Sequence, residues 1–147
     1  MPSSGRSARP GAAGDGERRR PVIVLDTSVL VDALTGPRRS APPLRSAIER
    51  GERIVLSTLV LYEWLRGPRA PDEIAAQDAL FPRESAIAFG PEEAEVAARL
   101  YRTLPGARQR EFDLCVAACA LTHEAALWTL NVKDFHDVPD LTLFNPR

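Results

Sequence analysis

No apolar run in the 147-residue chain approaches the roughly 18 residues that a bilayer-spanning helix needs, and the first residues lack the apolar stretch of a signal peptide. The expectation is a cytoplasmic protein with no membrane partner. Cysteine is scarce. Cys115 and Cys119, the two in the chain, lie one helical turn apart and read as reduced and buried. Lysine is scarcer: of 19 basic residues, Lys133 alone is not arginine. Such arginine and alanine enrichment fits coding bias as well as phosphate recognition, so composition alone names no ligand. Also missing are a glycine-rich phosphate loop and a serine placed with a histidine and an acid. Their absence argues against nucleotide-loop enzymes and hydrolase triads.

Hydrophobic residues make up 44% of the chain, enough for the core of one domain. The net charge of −1 hides an uneven distribution. Residues 1–20 hold five arginines against Asp15 and Glu17; of the 19 basic and 20 acidic groups in the whole, 14 and 18 remain in the body, a balance of −4. A mildly acidic body does not exclude nucleic acid, because a local arginine patch can meet phosphates while clustered carboxylates set the total. Residues 1–20, rich in Gly, Ser, Pro, Ala and Arg without apolar periodicity, are expected to be disordered, and the globular part to occupy 21–147.

The body begins with Val22 to Leu25, an unalternated apolar run that ends on Asp26. Such a run predicts a strand covered on both faces, as in a parallel sheet between helices. Further strands are expected at 53–57, 86–89 and 127–130, with an edge strand at 141–144. Helices are expected at 28–34, 43–50, 58–66, 71–81, from Pro91 to Pro105, and 111–125. The alternation predicts an α/β fold with a mostly parallel sheet of four to five strands, its ligand edge at the carboxyl ends of the strands.

Asp26 stands at that edge. Glu63 interrupts Leu59 to Leu65, a helix otherwise apolar nearly all round; its alternative is a solvated face or a pair with Arg66. Asp113 heads the apolar stripe of Val116, Ala117, Ala120 and Leu121, or else caps its helix. Thr129, Asn131 and Asp134 follow the last long strand, where Asn and Asp also serve as turn formers. Carboxylates and amides from separated segments suit a hard cation such as Mg²⁺ better than a thiolate-seeking metal, and point to metal-assisted phosphodiester hydrolysis. Cys115, Cys119 and His123 recur every fourth residue, but this drifting row reads as packing rather than zinc. Asp32 and Glu124 read as peripheral.

Four segments in order carry a resemblance to a known family: Leu25 to Asp32 (LDTSVLVD), Glu63 to Gly67 (EWLRG), Phe112 to Ala118 (FDLCVAA) and Thr129 to Phe135 (TLNVKDF). Together they resemble the PIN-domain ribonucleases, and among these the VapC toxins of prokaryotic toxin–antitoxin pairs. The resemblance spans Val22 to Asn145. It implies a PIN-like fold and a Mg²⁺- or Mn²⁺-dependent endoribonuclease that leaves 5′-phosphate and 3′-hydroxyl ends. Asp26, Glu63 and Asp113 would form the acidic metal centre, with Thr27, Ser28 and Thr129 in support. Either Asn131 orients a water or the metal, or Asp134 completes a second metal position, so the number of metals stays open. The family also implies a homodimer, a cognate antitoxin and an RNA substrate. Arg38, Arg39, Arg66, Arg69, Arg108 and Arg110 flank the expected mouth as candidate phosphate contacts, or are ordinary solvated arginines. A Mg²⁺-dependent phosphatase or phosphoacceptor domain is the alternative enzyme, but it predicts a second Asp where Ser28 stands. A catalytically silent RNA- or protein-binding PIN module is the non-enzymatic alternative.

Overall fold

A computed structural model of the chain describes residues 21–146. The expected disordered tail, 1–20, lies outside the described residues. Strand β1 is Val22–Leu25, and its last three residues are at most 1% exposed. It pairs in parallel with β2 (Arg53–Val55) on one side and with β3 (Ala126–Trp128) on the other. Strand β4 (Thr142–Leu143) adds in parallel beyond β3, giving the order β2-β1-β3-β4. All three pairings are parallel, as the unalternated apolar composition of β1 requires.

The helices are α1 (Thr27–Leu34), α2 (Ala41–Glu49), α3 (Thr58–Arg66), α4 (Pro71–Leu80), α5 (Pro91–Thr103) and α6 (Glu111–Thr122). Their starts are written in the local sequence. Ser57 Oγ accepts from the Val60 N–H at 3.1 Å and caps α3. Pro71 and Pro91 occupy first helical positions, while Glu73 and Glu93 reach back to the Ala70 and Gly90 N–H groups at 2.8 and 3.0 Å. Gly106, at φ 63°, makes the turn between α5 and the short 3-10 segment Ala107–Arg110. Helix α6 is the central element: Leu114, Val116, Ala117, Ala118, Cys119 and Ala120 are buried on every side of it, between α5, α3 and the sheet. A helix without a wet face belongs in the interior.

The strand expected at 86–89 is reduced to a single bridge, Ser57 to Ile87. Ile87 N–H meets Leu56 O and Ile87 O accepts from Thr58 N–H, both at 2.8 Å. Beyond that point the neighbouring chain has already turned into α3. Phe89 N–H goes to the Thr58 hydroxyl and Gly90 N–H to Glu93, so cap bonds take the place of a ladder. On α4 the fully buried residue is Gln77, while Leu80 is 43% exposed. Gln77 exchanges bonds with Phe81: its side-chain Nε2 donates to Phe81 O and its backbone carbonyl accepts from Phe81 N–H.

Candidate active site

The register of β1 with β3 places Leu25 beside Trp128, so the next residues, Asp26 and Thr129, leave the sheet side by side. Asp26 N–H still donates to Trp128 O at 2.9 Å, which extends the ladder to the carboxylate itself. Asp26 occupies the position before α1 but makes no side-chain capping bond. Its carboxylate faces elsewhere: Oδ2 accepts from Thr129 Oγ1 at 2.7 Å and from Ser28 Oγ at 2.9 Å. Only 5% of the residue is exposed. Burial pushes its pKa up, the two hydroxyls and the Thr27 N–H pull it down, and the charge of Glu63 adds to the rise. The balance lies above the ordinary aspartate value.

The same hydroxyls organise the loop after β3. Thr129 Oγ1 accepts from Asn131 N–H at 2.9 Å, and Ser28 Oγ from Leu130 N–H at 3.0 Å. Asn131 is thus tied in through its backbone and is exposed, whereas Asp134, at the end of the 3-10 segment Val132–Asp134, is half-buried. Thr27 Oγ1 is buried without a hydrogen-bond partner among the described residues. Of the three supporting hydroxyls it is the one that does not reach Asp26.

Asp113 lies in the first turn of α6 and Glu63 near the end of α3, the two helices being packed together. The Asp113 pKa is pushed up to about 6, first by burial and then by Asp26, Asp134 and Glu63, against a smaller pull from Arg110. Four carboxylates from separate segments therefore act on one another at this edge. Glu63 also forms an ion pair with Arg66, at 3.6 Å, the alternative its sequence context offered. No three His, Cys, Asp or Glu among the described residues converge tightly enough to enclose a metal ion. An all-oxygen set of mutually repelling carboxylates, two of them raised in pKa, nevertheless suits a cation that keeps much of its own water, as Mg²⁺ does.

The arginines divide into two groups. Arg108 is exposed, Arg39 is 74% exposed with a 3.6 Å pair to Asp32, and Arg38 lines an apolar groove with Leu34, Leu44 and Leu80. Arg69 and Arg110 are engaged by the protein. Arg69 stacks 4.3 Å over the Trp64 ring and donates Nε to Trp64 O at 2.9 Å. Arg110 forms a two-pronged pair with Asp137, at 2.6 and 2.7 Å. Free phosphate contacts are therefore not what the structure gives for these two; aromatic stacking and a carboxylate fork hold them. Asp137 escaped the sequence reading because it lies 27 residues from Arg110, beyond any helical or turn spacing.

The cysteine row does not make a zinc site. Cys119 is fully buried and its thiol is pushed up to about 12 by burial and by Glu93. His123 Nε2 lies 3.4 Å from Glu93 Oε2, which also accepts from Thr122 Oγ1 at 2.7 Å. Asp32 is peripheral, accepting from Ser40 Oγ at 2.7 Å.

Comparison with known proteins agrees with this fold. The PIN domain family matches residues 23–141. Ribonuclease VapC19 of Mycobacterium tuberculosis is 34% identical over 120 residues, covering 80% of this chain and 95% of the relative. Among solved structures, DNA-bound VapBC from Salmonella typhimurium superposes with a TM-score of 0.69 at 18% identity, covering 84% of this chain and 97% of the other. VapBC2 from Rickettsia felis, bound to a DNA fragment from its promoter, gives 0.65 at 22%, covering 84% and 98%. At such identities the structures speak for the fold alone. Family match, shared sequence and shared fold together establish that the chain belongs to the PIN domain family.

Proposed function

We propose that the protein is a metal-dependent endoribonuclease and the toxin of a VapBC-type toxin–antitoxin pair. The observation that carries this reading is the mutual charging of Asp26, Glu63, Asp113 and Asp134 at the carboxyl edge of a parallel sheet. Such repulsion is a standing cost that a bound divalent cation relieves. The relationship to ribonuclease VapC19 supplies the substrate class. Mg²⁺ or Mn²⁺, when bound, lowers the pKa of a water and neutralises charge on the scissile phosphate.

The chain's own groups do the rest. Asp26, held by Thr129 and Ser28, presents its carboxylate in one orientation from the sheet edge. Asp113 and Glu63 would close the site from α6 and α3, and Asp134, in the loop after β3, lies near enough to Asp113 to raise its pKa. Asn131 serves that loop through its backbone, so Asp134 is assigned as the fourth acid. In the metal-free protein, burial and the neighbouring acids raise the Asp113 pKa to about 6, a rise that a bound cation would reverse. Arg108, Arg38, Arg39 and Arg66 stay candidates to meet phosphates, the last two through exposed side chains whose 3.6 Å pairs with Asp32 and Glu63 are weak. Single-stranded or looped RNA is the expected substrate, because unstacked bases offer their edges to a protein. A homodimer and an antitoxin belong to the same proposal.

The test is cleavage of total RNA by antitoxin-free protein with Mg²⁺ or Mn²⁺, beside Asp26→Asn and a chelator control. The expected result is 5′-phosphate, 3′-hydroxyl fragments from the wild type alone. Equal cleavage by Asp26→Asn removes the assignment, and stable RNA binding without cleavage favours a silent PIN module.

A further inference from the structure

Arg110 is the residue immediately before α6 and three before Asp113. Its side chain is 12% exposed and makes four hydrogen bonds to three acceptor groups. Nη1 and Nη2 grip Asp137 Oδ1 and Oδ2 at 2.6 and 2.7 Å. Nη1 also donates to the backbone oxygen of Asp134 at 3.1 Å, and Nη2 to that of Pro105 at 2.8 Å. One guanidinium, on the residue that precedes α6, thus joins the turn at Pro105 to the loop that carries Asp134 and Asp137. We propose that Arg110, clamped by Asp137, is a positioning residue that sets Asp134 at a fixed separation from Asp113. The proposal rests on the reading of these two acids as parts of a metal site.

The need for a clamp follows from the charges. Asp113 and Asp134 repel, and the 131–137 loop is otherwise anchored by Phe135, which is 1% exposed, and by short-range turn bonds. Left to itself, that loop would relax so as to separate the two carboxylates. Arg110 opposes the motion by holding the Asp134 backbone and by lying beside both acids as a positive charge. The fork geometry matters as much as the charge: an ammonium group cannot take both Asp137 oxygens and two carbonyls in one plane. Groups that orient metal-binding side chains in this way typically contribute about 10- to 100-fold in metal affinity or activity.

The experiment measures Mn²⁺ binding by calorimetry in the absence of RNA, for the wild type, Arg110→Lys, Asp137→Asn and the double variant. Amide exchange of residues 131–137 and RNA kinetics are measured in parallel. The expected result is Mn²⁺ affinity reduced about tenfold or more in each single variant, no further loss in the double, and faster exchange in the loop. Should Arg110→Lys fail to fold by circular dichroism, the near-isosteric Asp137→Asn carries the test. The sign of the Asp137→Asn effect separates the clamp from direct phosphate contact. Releasing Arg110 to bind RNA would lower KM and leave Mn²⁺ affinity unchanged, which overturns the proposal. Wild-type Mn²⁺ affinity in both variants overturns it too, while RNA cleavage by the wild type would leave the ribonuclease reading standing. The predicted losses in a protein that cleaves no RNA support the clamp and remove that reading. Absence of Mn²⁺ binding by the wild type overturns both.

Discussion

Thr129 Oγ1 donates to Asp26 Oδ2 at 2.7 Å and accepts from Asn131 N–H at 2.9 Å, so one hydroxyl fixes both the first acid and the start of the loop bearing the last. Thr129→Val removes both bonds and leaves a buried carboxylate with one hydroxyl donor. Burial then dominates further, and the Asp26 pKa rises. The pH at which Mn²⁺ binding reaches half its maximum should move upward, with about 1–3 kcal/mol of stability lost. Thr129→Ser should restore both, as read by calorimetry across pH and by thermal melting.

Asp113 carries a pH signature in the metal-free protein. Its folded pKa, about 6, exceeds the ordinary aspartate value of the unfolded chain. The group is neutral in both states at low pH and ionises more readily in the unfolded chain as pH rises. It therefore withdraws stability between roughly pH 4 and 6 and adds no further loss above. Thermal melts in chelator should show this decline in the wild type and a smaller one in Asp113→Asn, where Asp26 still has a raised pKa. At pH 7.5 the variant should be more stable by on the order of 1 kcal/mol, after discounting for its partial exposure, yet inactive on RNA.

Glu63→Gln should separate stability from activity. The pair with Arg66 is largely solvated, with side chains 30% and 58% exposed, and such pairs contribute about 0–1 kcal/mol. The variant should melt within a few degrees of the wild type while RNA cleavage falls by about 100-fold or more, as expected when a group acting at the transition state is removed.

Arg69 and Arg108 should behave oppositely. Arg69→Ala removes a stack on Trp64 and a bond to its carbonyl, with a loss of about 1–2 kcal/mol and unchanged RNA affinity. Arg108→Ala should leave the melting temperature alone, weaken RNA binding and reduce its salt dependence by about one ion. Filter binding over a salt series distinguishes them.

Alkylation should spare Cys119. A buried thiol pushed up to about 12 holds almost no thiolate at pH 8, so mass spectrometry of native protein should find it unmodified and unfolded protein should label fully.

The sequence disclosed what depends on neighbours along the chain. The four apolar residues before Asp26 announced a strand buried on both faces, and the apolar run from Leu59 to Leu65 a helix with Glu63 set into it. It did not disclose what depends on meetings across the fold. The 86–89 segment has strand composition, but its neighbour turns into α3 after one bridge. Gln77 looks solvent-facing until its two bonds to Phe81 are seen. Arg110 looked like a free cation because its acceptor, Asp137, belongs to another segment. The choice between Asn131 and Asp134 likewise depends on a turn that brings one side chain under the influence of Asp113 and leaves the other in water.

The bond between Thr129 and Asp26 spans 103 residues of sequence. An acid at the start of the fold therefore has only its local donor, Ser28, until the strand near its end has paired. On a ribosome, synthesis proceeds from the amino end, and nearly all of the globular part must leave the exit tunnel before β3 can dock on β1. A nascent chain lacking β3 carries Asp26, Glu63 and Asp113 without the frame that joins them. Assembly of the acidic edge should therefore await the pairing of β3 with β1, after most of the residues of the PIN domain have been synthesised.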